Sequence, residues 1–375
     1  MRFVALRMLL GDGAKYIAIV FGLTFTALLV TQQLSIFVGL MERSYSAITD
    51  IRGGDVWIMD PLVQQIDDKK PLADTVPFRL RSVPGIEYAL PLFRVFAVAR
   101  LQGGYQQTVA LVGLDDTTLA GAPAEVVKGT LADLRRPDAV IVDADGLRDK
   151  FNGAGVGDIL ELNDHRAEIV AICKVKRTFT AFPVIYTTYS RAKQFAPSER
   201  RNLTYVVAKL KPGADLAAVK AEVARRTGLV CLTNDEFARR TWTYIMKNTG
   251  IPVNFGITVL LGFIVGTAIA GQTFYTFTLE NLKQFGALKA MGASDWTLVR
   301  MVVLQAMVVA ALGYGIGVGG AALFGWATAG TTLAFHLRWE ILAFTAAAIL
   351  FVAVGSSFLS LWKLVRLDPA IVFRG

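Results

Sequence analysis

The sequence predicts a membrane protein with four transmembrane α-helices and a large α+β extracytoplasmic domain between helices 1 and 2. Three observations carry that prediction. The chain is very apolar for its 375 residues, with 54% hydrophobic and 18% charged residues, against roughly 25% charged in a typical soluble domain. The apolarity is gathered into four runs without charge, residues 16–41, 251–279, 301–335 and 341–362, each long enough for the roughly 20 helical residues that cross a bilayer. Between the first run and the second, residues 42–250 have an ordinary soluble composition.

In chain order, residues 1–15 form a cytoplasmic segment and 16–41 the first transmembrane helix. Arg2, Arg7 and Lys15 precede that helix, as in a signal peptide. Its uncharged run is about twice the usual apolar region of one, so it reads as a retained anchor. Residues 42–250 form the outer domain and 251–279 the second helix. Residues 280–297 form a cytoplasmic segment, 298–326 the third helix, 327–338 a short outer loop, 339–362 the fourth helix and 363–375 a cytoplasmic tail. Orientation follows from the basic residues that flank the spans. Arg2, Arg7 and Lys15, then Lys283, Lys289 and Arg300, then Lys363, Arg366 and Arg374 mark one side. Both termini are therefore expected in the cytoplasm, with membrane lipids surrounding the spans. The net charge of +9 is partly this signal, and nucleic acid is excluded as a partner of a domain held outside.

The outer domain alternates strand and helix signals. "DVWIMD" reads as a strand, and "PFRLRSVPG" as a short helix stopped by Pro84-Gly85. Residues 88–116 read as a hairpin around Gly103-Gly104, which supply the positive φ of a tight turn. Residues 157–175 form a second hairpin, turning at Asn163-Asp164. "VIYTTYS" is a strand that runs into a helix, "NLTYVVAKL" a strand, "ADLAAVKAEVARRTG" an amphipathic helix closed by Gly228, and "LVCLT" a strand. Thr233-Asn234-Asp235 caps a further helix leading to residue 250. Cys173 and Cys231 both fall here. An outside compartment permits a disulfide between them, yet both sit in apolar strand-like runs that suit buried free thiols, so the sequence leaves their pairing open.

No catalytic constellation and no metal site is legible. The chain has two histidines, His165 in a predicted turn and His336 far away, so a His-based metal site or a Ser-His triad lacks parts. Asp115-Asp116, Asp143 and Asp145 read as turn acids, and "GAGVG" at 153–157 as a turn before a strand. There is no GxxxxGK[ST], so the chain is not expected to hydrolyse nucleotide itself. No Asp, Glu, Lys, Arg or His lies within the uncharged runs, and ion-coupled transporters need such groups near the midplane. Energy for transport must then come from elsewhere. Gly262 and Gly266, with Gly313 and Gly317, have the four-residue spacing that lets helices approach closely, within one chain or across a dimer seam. Thr31-Gln32-Gln33 reads as an interfacial helix end, the alternative being the lining of a crevice.

Residues 278–294, "TLENLKQFGALKAMGAS", carry the most information. Leu279, Leu282, Phe285, Leu288 and Met291 recur every three positions, a spacing that drifts around a straight 3.6-residue helix. A bend at Gly286 resolves this, leaving a short helix over 287–291 that Gly292 ends, with Ser294-Asp295 capping the third span. A short helix with an apolar side and two lysines suits docking into a groove.

The run "ENLKQFGALKAMGAS" resembles the cytoplasmic signature of FtsX/MacB-type (type VII) ABC transporter permeases, G-x-L-K-A-x-G-A after an acidic residue. The tail "RLDPAIVFRG" resembles the DP-x-x-x-x-R ending of the same superfamily. The layout of one span, a large outer domain and three spans is also similar, so the resemblance covers essentially the whole chain. "GDVWIMDP" and "YTFTLENLKQFGALKAMGAS" are closest to the DevC-type branch. The resemblance implies a homodimer bound to a separate ABC ATPase subunit, which binds ATP and magnesium, while this chain carries no cofactor. It implies that Glu280, Lys283, Phe285, Gly286, Leu288, Lys289, Met291 and Gly292 form the coupling segment. It also implies mechanotransmission through the outer domain, a MacB-like periplasmic core, and export of an amphipathic or lipid-like substrate with a periplasmic adaptor and an outer-membrane channel. The alternative within the superfamily is an FtsX-like signalling protein that activates an outside partner and moves no substrate.

Overall fold

The computed structural model describes the chain apart from residues 1, 12, 52, 69, 102, 197–201 and 366–375, and the side chains of residues 2, 202 and 358–365 also lie outside that description. Two compact units are present, residues 1–40 with 250–375, and residues 41–249. The chain begins with α1 (Arg2–Gly11) and α2 (Gly13–Asp50). Then come β1 (Val56–Met59), β2 (Leu72–Ala73), α3 (Val76–Arg81), β3 (Ile86–Arg100), β4 (Gln106–Leu114) and β5 (Glu125–Lys128). Next are β6 (Ala139–Asp143), α4 (Ala144–Lys150), β7 (Ile159–Leu162), β8 (His165–Lys174), β9 (Val184–Thr188) and α5 (Tyr189–Phe195). They are followed by β10 (Asn202–Leu203), β11 (Tyr205–Leu210), α6 (Leu216–Thr227), β12 (Val230–Thr233) and α7 (Asn234–Asn248). The chain continues through α8 (Ile251–Glu280), α9 (Leu282–Ala290), α10 (Asp295–Thr328) and α11 (Trp339–Val365).

In the sheet domain, β3 does double duty. Its residues 86–92 pair with β11 and its residues 93–100 with β4. The turn between β3 and β4 uses Gly103 and Gly104 at φ +101° and +84°, values that glycine adopts without penalty. The β7–β8 turn places Asn163 and Asp164 at φ +47° and +65°, two positive values in a row as a tight two-residue hairpin requires. Because β7 pairs with both β8 and the end of β3, the path β3-β4-β9-β6-β8-β7 returns to its start. Side chains alternate across this ring with the strand period of two. Phe93, Val95, Ala97, Val109, Leu111, Val140 and Ile185 fill one core. Ala110, Val112, Ile141, Cys173 and Tyr186 belong to a second, together with Ile48, Trp57, Tyr205 and Phe237. Val56, Ile58, Val206, Ala208 and Cys231 form a third with residues of α3 and α6.

Cys173 and Cys231 are free and buried, so the disulfide that the sequence left open is not formed. Cys173 lies on β8 and Cys231 on β12, with at least four strands between them by either route. Strands are about 4.8 Å apart, whereas a disulfide needs Cα atoms within about 7 Å. His165 is exposed at the start of β8. The β6–α4 unit has no counterpart in the sequence reading, which took Asp143 as a turn acid. Asp143 is instead 7% exposed and accepts from the backbone N–H of Gly146 at 2.6 Å and of Val184 at 2.5 Å. Burial pushes its carboxyl up to about 6, against the pull of those two bonds.

In the helical unit, α2, α8, α10 and α11 are each long and apolar enough to cross a membrane. Ile19, Leu23, Ala27, Ala270, Phe274, Val309 and Ile349 form the core they share. The glycines settle one open question. A Cβ on Gly262 would meet Leu29 at 3.3 Å, on Gly266 Thr26 at 1.6 Å, on Gly313 Leu23 at 2.7 Å, and on Gly317 Ala27 at 2.6 Å. All four therefore serve packing against α2 within one chain, and that side of each helix is already occupied. Phe263 stacks on Phe351 with ring centroids 6.0 Å apart, which joins α8 to α11.

Helix and hydrophobic run do not coincide. Over its 38 residues α2 is about 57 Å long, because Glu42 and Arg43 end the apolar run without ending the helix. Thr31 is fully buried and its hydroxyl donates to that of Thr345 at 3.2 Å. It therefore faces α11 from inside α2, and is not the interfacial helix end that its polar neighbours suggested.

Candidate functional site

The segment between α8 and α10 is built from three local devices. The first is Asn281, at φ −88° and ψ 5°, where helical ψ would be near −42°. Its side-chain amide donates to the Phe277 carbonyl at 2.8 Å, which also receives its backbone N–H at 3.2 Å. The interruption thus falls at Asn281 and not at Gly286, which is buried inside α9. A side chain that bonds its own turn outweighs a glycine that merely permits a bend.

The second device ends α9. Gly292 has φ +94°, and the N–H of Ala293 bonds to the carbonyl of Leu288 at 3.0 Å, the six-to-one bond of a Schellman stop. The third begins α10. Ser294 accepts from the Thr297 N–H at 3.3 Å, and Asp295 in the first turn holds Lys289 at 2.8 Å, where a carboxylate suits the helix dipole. At the other end of the segment, Glu280 pairs with Lys15.

These devices fix which residues face outward. Phe285 is fully buried among Ala5, Leu298, Met301 and Val302, with Leu282, Leu288 and Ala293 partly buried against the cluster. Phe285 and Gly286 therefore hold α9 in place and offer a partner no surface. Leu288 and Lys289 are half-buried, while Lys283, Gln284, Met291 and Gly292 are exposed, Met291 by 75%. Beyond them Trp296 is exposed, with the Arg300 guanidinium 5.1 Å from its ring centre. The outward side of this segment thus carries one long apolar side chain, Met291, among polar neighbours.

The sequence reading missed α1. Ala5 and Leu9 are buried, and the Ala5 carbonyl accepts the Gln305 side-chain N–H at 2.7 Å. Gln305 sits inside an otherwise apolar span, the one signal that could have pointed to a partner outside that helix. The tail motif at 366–375 lies outside the described residues.

The sequence profile described as FtsX-like permease C-terminal matches residues 256–369, and that described as MacB-like periplasmic core domain matches residues 17–226, more than half of the chain. The chain belongs to the FtsX/MacB-type ABC transporter permeases. Two uncharacterized ABC transporter permeases of Mycobacterium tuberculosis, from strains CDC 1551 / Oshkosh and ATCC 25618 / H37Rv, are each 25% identical to this permease over 314 residues. The match covers 81% of this chain and 81% of each relative. Among solved structures, the periplasmic region of MacB from Actinobacillus actinomycetemcomitans is 13% identical with a TM-score of 0.38, covering 54% of this permease and 96% of that chain. The extracellular domain of the ABC-type transporter YknZ from Gram-positive bacteria is 14% identical with a TM-score of 0.36, covering 46% and 90%. Membership makes this permease a multi-pass membrane protein and implies an ATPase partner.

Proposed function

We propose that this permease is the membrane subunit of an ATP-driven exporter. A separate ATPase subunit, holding ATP and magnesium, docks on α9, and its cycle moves the periplasmic domain to expel an amphipathic or lipid-like substrate. The observation that carries this reading is α9 itself. It is a helix of nine residues fastened at both ends between two candidate spans, with Lys283 and Gln284 turned outward and Met291 exposed at its C-cap. The uncharged spans agree with a transporter that draws its energy from a partner. The basic flanks support a cytoplasmic location of both termini and α9, in keeping with a bacterial inner-membrane protein. Two copies form the working unit, since an ABC ATPase acts as a pair. The DevC-like sequence features support a periplasmic adaptor and an outer-membrane channel as further partners.

The test is a comparison of extracts and medium from a deletion strain complemented with wild type or with Met291→Asp. The reading expects a compound retained in the deletion and in the variant, and released with the wild type. An FtsX-like transmission role predicts no retained compound, and loss of an outside hydrolytic activity in its place. That result would replace export with signalling.

A further inference from the structure

One side of α1 is free of the packing that holds its other side. Ala5 and Leu9 are buried, whereas Phe3 is 69% and Leu10 62% exposed, and the Arg7 guanidinium lies 5.4 Å from the Phe3 ring centre. Because Ala5 and Phe285 share one apolar cluster, α1 and α9 are fixed against the same part of α10. An open cleft of about 720 Å³ lies beside them. Arg7, Gly11 and Gly13 form one wall, and Glu280, Asn281 and Gln284 the other.

The lining selects the occupant. A lipid acyl chain would cover the Arg7 guanidinium and the Gln284 amide that line the cleft, and bury their polar atoms away from water, which is unfavourable. A protein segment with hydrogen-bonding side chains satisfies the same groups. The Gln284 wall is also the outward side of α9, so the cleft continues the surface already assigned to docking. Phe3 and Val4 at its mouth offer the apolar anchor that interfaces concentrate at their centres.

We propose that α1 and α9 form one two-sided docking surface, and that the ATPase subunit seats a segment bearing a carboxylate in the cleft between them, opposite Arg7. The proposal rests on the reading of α9 as the ATPase contact. It gives residues 1–15 a role in energy coupling beyond that of a topology marker.

The experiment places the photo-cross-linking residue p-benzoyl-phenylalanine at position 4 or position 291 of the full-length protein in its native host. Both sites are exposed, so folding is not at stake, and adducts are identified by tandem mass spectrometry. The proposal expects both positions to capture one chain that contains a GxxxxGK[ST] motif. It expects Arg7→Glu to lower the yield at position 4 about tenfold through like-charge repulsion, while Arg7→Lys preserves it. If position 291 captures that chain and position 4 captures only lipid or nothing, α1 is a membrane-surface helix and the proposal is overturned, with α9 docking intact. If position 291 captures no such chain, the α9 reading itself fails and the two-sided surface with it. An undiminished yield with Arg7→Glu removes Arg7 from the contact and overturns the charge assignment.

Discussion

Gly266 offers a sharp test of how α2 and α8 pack. A Cβ there would fall 1.6 Å from the Thr26 hydroxyl oxygen and 2.8 Å from the Thr26 Cβ. Thr26 cannot readily move aside. It is fully buried, and its hydroxyl donates to the Gly22 carbonyl at 3.0 Å. Gly266→Ala must therefore turn Thr26 out of its rotamer or spread the helices, an overpacking cost of about 1–3 kcal/mol. Thr26→Ala removes the hydroxyl and its methyl while leaving the Cβ, so it relieves the worst of the clash. In that background Gly266→Ala should cost less than about 1 kcal/mol, because alanine also gains roughly 0.5–1 kcal/mol of helix preference over glycine. The pair should thus show a coupling of about 1–2 kcal/mol in a double-mutant cycle. The assay is thermal unfolding in detergent followed by tryptophan fluorescence, where each kcal/mol moves the midpoint by about 2–4 °C in a unit of this size. Equal costs in both backgrounds would refute the contact. So would a Gly266→Ala variant that loses dimers while the monomer melts unchanged, since that places Gly266 on a seam between copies.

Three further outcomes are expected. Phe285→Ala should destabilise the anchor of α9 by about 3–5 kcal/mol, seen as faster amide exchange across 282–290, whereas Met291→Ala should stay within about 0.5 kcal/mol; equal effects would mean the two faces of α9 are misassigned. For Asp143, the folded state holds its proton up to about pH 6 and the unfolded chain only to about 3.9. Its contribution to stability is therefore greatest below about pH 4 and falls as pH rises to 6, by about 3 kcal/mol in full. Urea titrations should show this slope flattened in Asp143→Asn, and an unchanged slope would exclude Asp143 as its source. Finally, reductant should leave the melting of the wild type unchanged, as Cys173 and Cys231 are free; a midpoint that falls with dithiothreitol would require a disulfide after all.

What the sequence revealed, and what it hid, divides along the range of the forces involved. The hairpins at Gly103-Gly104 and Asn163-Asp164 were legible because a positive φ is a local demand that few residues meet. The stop of α6 at Gly228 and the cap of α7 at Thr233 were legible for the same reason, and both hold, with Gly228 at φ +71° and Thr233 accepting from Glu236. The four long helices were legible because a bilayer imposes a length on apolar runs. Helix α1 was not, since Ala5 is fixed by Phe285 and Gln305 and Leu9 by the core that the long helices share, contacts that no window of sequence contains. Strand β6 was short, and the buried role of Asp143 depends on Val184, far along the chain.

The candidate site shows the same division. Its position between two spans, and the stop at Gly292, could be read from the residues around it. Which side faces outward could not. Periodicity gave Phe285 and Met291 equal standing as apolar positions of one helix. Packing against α1 and α10 separates them, burying one and exposing the other.

The central claim is that α9 delivers the ATPase's energy to this permease through its exposed side. The most direct measurement is ATP turnover in proteoliposomes holding the permease with its ATPase subunit, comparing wild type with Met291→Asp at matched, folded protein levels. The account predicts that the permease-dependent part of the turnover falls at least about tenfold, the effect of a charge buried at a docking centre. Turnover equal to wild type, with the complex intact, would contradict it.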